Sequence, residues 1–243
     1  MTPPGTSSAT SSGTVGLLHT VAGLASRFDA DVDAALPGLR RIHVVDPWLL
    51  ATAVQAGVTP DVESAVLAHV RYLESAGAAA VLVTCSSVGE AAEAADGQVA
   101  IPVLRVDAPM AHDAVALAAR TGARGRVAVL ATLASTLGPT GRLVERAAGA
   151  AAGTGVAVTV SSDVVRGAAA ARDAGDDDAA DALVARAVAA AAAGADVVVL
   201  AQASMARAAE LARADVPVLT SPAGGVARLV RVLTADAQAA GSR

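Results

Sequence analysis

One cysteine and four histidines are the side chains in this sequence whose chemistry runs near neutral pH. Cys85 stands just past an apolar run, residues 79–84, and just before a helix that should begin near Ser87. A thiol in that position lies beside unpaired backbone N–H groups and the positive end of a helix, features that lower a thiol pKa and bind anions. Its thiolate could take a proton from carbon, or return one, beside a substrate carboxylate held by Ser86, Ser87 and the exposed amides. The competing reading is a small apolar residue that merely ends a strand.

His19 is the imidazole expected at a strand end, where it is a candidate second proton carrier or a plain structural residue. His43 lies inside a strand and reads as structural, while His69 and His112 ride on helices. Thr132, Ser135 and Thr136 follow a strand and precede a helix, so they could offer hydroxyls and amides to an anion or simply cap that helix. Asp107 is equally a helix cap or a proton carrier. There is no complete G-x-G-x-x-G after a strand, and with no Lys in the chain no G-x-x-x-x-G-K-[ST] loop can exist. The histidines are dispersed, without H-E-x-x-H or similar spacing. We therefore expect neither a cofactor nor a metal.

These residues need elements to hold them. Short Val/Leu-rich runs alternate with Ala-rich stretches of helical period, the pattern of an α/β fold with mostly parallel sheets. The strands are expected at 14–19, 41–46, 79–84, 102–106, 126–131, 156–161, 196–201 and 217–219. Thr59-Pro60-Asp61 marks a helix start, followed by Val62, Val66, Val70 and Leu73 on one face and Gly77 as the stop. Asp107 and Ser221-Pro222 should open two further helices, and the five acids within 173–181 should form a solvated first turn.

The chain also repeats itself. Residues 77–88 align without gaps on 194–205, 13–20 match 125–132, and 101–104 match 216–219, in the same order in both halves. This predicts two pseudosymmetric lobes, each a mostly parallel sheet flanked by helices: 14–121 plus 220–243, and 122–219. Their strand ends should share a cleft, the usual ligand position in open α/β sheets. In that alignment Cys85 faces Gln202, Ser86 faces Ala203, Ser87 faces Ser204 and His19 faces Ala131. A place at the cleft favours a functional Cys85 over a structural one.

Composition bounds the partners. The net charge is −5 and the only aromatics are Phe28, Trp48 and Tyr72, so the chain offers neither a basic footprint nor stacking platforms for nucleic acid. No apolar run reaches the roughly 18 to 20 uncharged residues of a membrane span. A lone cysteine suits a reduced, cytoplasmic protein. Residues 1–13 are polar and rich in Ser, Thr and Pro, and are expected to be a disordered tail. Association into a homo-oligomer is compatible with all of this.

Val83-Thr84-Cys85-Ser86-Ser87, Ile101-Pro102-Val103-Leu104, Leu130-Ala131-Thr132 and the run from Val199 to Ser204 resemble the aspartate/glutamate racemase superfamily, which includes hydantoin racemases, maleate isomerases and arylmalonate decarboxylases. The likeness covers roughly residues 14–233. It implies two α/β lobes, no cofactor, and a cysteine from each lobe on opposite faces of the substrate carbon. Cys85 matches the first cysteine. Ser86, Ser87, Thr132 and Ser204 match the carboxylate-binding motifs, with Gln202 and Ala203 beside them as further substrate contacts. Gln202 stands where the second cysteine would be, and an amide exchanges no proton near neutral pH.

The resemblance thus implies an isomerase or racemase acting beside the carboxylate of a small acid, with Cys85 as acid/base and His19 as a candidate partner. A decarboxylase or lyase with Cys85 as single proton donor is the alternative, and a non-catalytic carboxylate-binding protein is a third.

Overall fold

The computed structural model describes residues 13–120, 122–151 and 157–241, with side chains to residue 235. Residues 1–12 of the expected tail lie outside the described residues, as does the first residue of the strand expected at 156–161. The first sheet contains β1 (Thr14–His19), β2 (Arg40–Val45), β3 (Val81–Val83) and β4 (Val103–Arg105), all parallel, in the order β2-β1-β3-β4. The second contains β5 (Arg126–Ala131), β6 (Thr159–Val164), β7 (Val197–Leu200) and β8 (Val218–Thr220), in the equivalent order β6-β5-β7-β8. Identical strand orders are the structural form of the internal repeat.

Helices cover both sheets. In the first half they are α1 (Ala22–Ala35), α2 (Pro47–Ala56), α3 (Pro60–Ser75), α4 (Gly89–Ala95) and α5 (Ala108–Ala118). The second half adds α6 (Ala134–Ala150), α7 (Ala168–Asp173), α8 (Asp177–Ala192), α9 (Ala206–Leu211) and α10 (Ser221–Gly241). α3 follows its sequence signals closely: the Thr59 hydroxyl accepts from the Val62 N–H, and Val62, Val66, Val70 and Leu73 are its buried residues. Each such side chain contributes roughly 1.5–3 kcal/mol by leaving water. Gly16 on β1 makes the close approach of α3 feasible, since a Cβ there would lie 2.9 Å from Leu73 Cδ1.

The helices after the last strand of each sheet cross over. α5 follows β4, yet Met110, Ala111, Ala114 and Val115 pack with Val127 and Val129 of the second sheet. α10 follows β8, and its Val226 and Leu229 pack with Val15, Leu17 and Leu82 of the first. The exchange fastens the two sheets together.

Two local expectations are corrected. Asp107 precedes α5 without a side-chain capping bond, because Arg105 claims its carboxylate in a buried pair, with N–O distances of 2.7 and 2.9 Å. The acid run before α8 is only partly solvated. Asp176 caps the helix by accepting from the Ala179 N–H, but Asp181 is buried and paired with Arg172 and Arg207.

Candidate active site

β3 ends at Val83, and the chain runs through Thr84 and Cys85 into a 3-10 turn, Ser86–Val88, that leads directly into α4. β7 ends equivalently, with Gln202 ahead of the turn Ala203–Met205 and α9. Cys85 has φ −119° and ψ 116°, and Gln202 has φ −120° and ψ 137°. The two residues thus occupy corresponding backbone positions, and both line one small cavity between the sheets.

That cavity is small, about 40 Å³. Its first-half wall comprises Thr20, Thr84, Cys85, Ser86 and Ser87, with Val21, Leu24 and Leu50 forming an apolar side. Thr136, Gln202, Ala203 and Ser204 complete it from the second half. Ser87 Oγ and Thr136 Oγ1, 2.7 Å apart, join the two halves across it. Thr20 Oγ1 and Ser86 Oγ are buried and have no hydrogen-bond partner. A buried hydroxyl without a partner is costly, and two of them on one cavity mark where a ligand's oxygens would be received.

The Cys85 side chain is half-buried. Burial pushes its thiol pKa up, while the nearby Thr20 hydroxyl and the Ser87 and Val88 N–H groups pull the other way. The balance keeps the thiol protonated at neutral pH, the reverse of the lowering expected from the helix start.

Of the other residues singled out in the sequence, Ser86, Ser87, Gln202, Ala203 and Ser204 stand with Cys85 on the cavity wall. Thr132 does not line it. Its N–H and hydroxyl both donate to Gln202 Oε1, at 2.6 and 2.8 Å. A backbone N–H can only donate, so these bonds fix the amide's orientation.

His19 is fully buried and is not on the cavity wall. Its Nδ1 lies 2.9 Å from Thr84 Oγ1 and its Nε2 lies 3.0 Å from His43 Nδ1. His43 Nε2 is in turn 3.1 Å from Asp29, which accepts from Arg41 Nε at 2.7 Å. Burial first, and His43 second, lower the His19 pKa to about 4. His19 therefore reaches the site only through Thr84. Asp107 and Ser135 are also absent from the cavity wall.

Thr136, which the sequence offered as an anion-binding hydroxyl or a helix cap, does line the cavity, whereas Thr20, Thr84 and the apolar Val21, Leu24 and Leu50 were not singled out. Thr20 had a signal, because the repeat pairs it with Thr132; the others depend on packing. Among the described residues no group of three or more His, Cys, Asp or Glu could hold a metal. None of their helices is long and apolar enough to cross a membrane.

Two equivalent parallel sheets with a cleft between their strand ends define a pseudosymmetric α/β enzyme fold. Residues 19–229 match the model of the Asp/Glu/Hydantoin racemase family, and the chain belongs to that family. It is an enzyme of racemase type. No curated protein sequence matches it. Among solved structures it is similar to glutamate racemase RacE1 from Bacillus anthracis, with a TM-score of 0.72 and 18% identity over 92% of this chain and 82% of that one. The allantoin racemase from Klebsiella pneumoniae gives 0.62 and 21% over 92% and 88%. A Gly74Cys mutant of arylmalonate decarboxylase gives 0.55 and 24% over 91% and 93%. At these identities the structural likeness speaks for the fold.

Proposed function

We propose that this racemase-type enzyme moves a proton at the carbon next to the carboxylate of a small acid, with Cys85 as the acid/base. The observation that carries the reading is the placement of Cys85 on the cleft wall beside two buried, unpartnered hydroxyls, Thr20 and Ser86. The carboxylate takes those hydroxyls. Once deprotonated, the sulfur accepts from the Ser87 and Val88 N–H groups and removes the α proton, leaving an enediolate. Returning that proton restores the acid, so the chemistry is proton transfer alone and calls on no cofactor. A catalytic free thiol suits the reducing cytoplasm.

Gln202 opposite Cys85 favours a second reading, a decarboxylase or lyase in which the thiol only protonates a carbanion. Proton NMR in deuterated water, with a panel of amino, hydroxy and malonic acids, separates the two. Proton transfer on the intact acid washes deuterium into recovered substrate, whereas decarboxylation labels only the product. If the native protein and Cys85→Ser exchange or convert the same acid equally, Cys85 is not the acid/base.

A further inference from the structure

The chemistry of the cavity wall narrows the substrate further, resting on the reading that Cys85 works beside a carboxylate. No Arg, Lys or His lines the cavity, and no Asp or Glu does either. It therefore supplies neutral donors for one carboxylate, through Thr20 and Ser86, but no cation for a second carboxylate and no anion for an ammonium. A charge carried into such a site loses its hydration without a compensating partner.

The second half of the site is already engaged. In the relatives this chain resembles, the Thr132 motif is expected to hold a substrate carboxylate; here its N–H and hydroxyl are both taken by Gln202 Oε1. With the carbonyl end so held, the NH₂ end of the Gln202 amide has no partner among the described residues, and it can only donate. It suits a neutral acceptor such as a hydroxyl or carbonyl oxygen. The apolar side formed by Val21, Leu24 and Leu50 suits a hydrocarbon substituent.

We propose that the cleft selects a small monocarboxylate bearing one hydrocarbon group and one neutral hydrogen-bonding group, and discriminates against both dicarboxylates and free α-amino acids. Three acids separate these features: α-hydroxyisovalerate, valine, which exchanges the hydroxyl for an ammonium, and malate, which exchanges the hydrocarbon for a second carboxylate. Their binding to Cys85→Ser, measured by calorimetry, reads selectivity without turnover. α-Hydroxyisovalerate should bind at least roughly tenfold more tightly than either of the others, about 1.4 kcal/mol. Leu24→Arg, adding a cation to the apolar side, should move the preference toward malate.

Equal or tighter binding of valine or malate overturns the substrate class, as does failure of α-hydroxyisovalerate to bind at millimolar concentration. The acid/base reading is judged separately, by α-proton exchange in the native protein. Cys85-dependent exchange of malate or valine would sink the selectivity and keep the mechanism. The binding order with no Cys85-dependent exchange of any acid would do the opposite.

Discussion

His19 Nε2 lies 3.0 Å from His43 Nδ1, with the two rings stacked at a centroid separation of 5.2 Å. The pair links adjacent strands β1 and β2, in a register that sets Leu17 against His43, and it connects buried Thr84 to partly buried Asp29 through hydrogen bonds. A second positive charge on such a pair is unfavourable, because His19 is buried and His43 stands against it.

This predicts a pH dependence of folding. The His19 pKa is about 4 in the folded chain against 6.5 for an ordinary histidine, so between those values the unfolded chain binds more protons. Stability is fully present above pH 6.5, falls as the pH drops toward 4, and changes no further on this account below it. The total loss is on the order of 3 kcal/mol. Urea denaturation across that range should show the slope in the native protein and a much shallower one in His19→Gln. Equal slopes would remove His19 as the cause.

Arg105 and Asp107 make a second buried pair, 3% and 0% exposed at their side chains. Burial alone would lower the Arg105 pKa, but Asp107 and Glu93 more than offset it and hold the pKa above the ordinary value. Asp107 also accepts from the Thr140 hydroxyl of α6 at 3.2 Å, which ties the buried pair to the second half of the chain. Removing one partner strands the other charge. Asp107→Ala should therefore cost roughly 3–5 kcal/mol, measured by chemical denaturation. Gly89→Ala should destabilise through the same pair, because a Cβ there would lie 2.6 Å from the Arg105 guanidinium.

The fold was legible where hydrophobic runs are bounded by turn residues. β1 and β5 occupy the expected residues, and the other strands overlap their expected spans. β6 is displaced furthest, to Thr159–Val164, since it is an edge strand whose Ser161, Ser162 and Asp163 are exposed and carry no apolar signal. The division into 14–121 plus 220–243 and 122–219 set the α10 segment with the first sheet, but it set α5 there too, and the packing of α5 on the second sheet had no local trace, because which sheet a helix covers is decided by contacts distant in sequence. The same limit applies at the site. The repeat pointed to Cys85 and Gln202, but the bonds from Thr132 to Gln202 and from His43 to His19 exist only once neighbouring strands are in register.

The Cys85 thiol carries a pH prediction of its own. Burial raises its pKa above the ordinary value of 9.0, so the thiolate is scarce at neutral pH and increases as the pH rises. Proton abstraction by Cys85 should therefore accelerate with pH and still be rising at pH 9, where a cysteine of depressed pKa would already have reached a plateau. The measurement is the rate of α-deuterium exchange against pH. Cys85→Ser should lose roughly 10²- to 10⁴-fold at any pH where the native rate is measurable.

In the proposed mechanism Gln202 limits inversion. Moving a proton from one face of a carbon to the other is simplest with a proton carrier on each face, and the amide opposite Cys85 carries none. The native enzyme should thus exchange the α proton of a single enantiomer faster than it inverts that centre. Gln202→Cys places a thiol at the corresponding position and also releases the Thr132 N–H and hydroxyl that Gln202 occupies. Inversion should then rise on the order of tenfold or more relative to exchange, followed by chiral chromatography and NMR on the same samples. An unchanged ratio would mean that the proton on the second face comes from elsewhere, and that Gln202 is not what limits inversion.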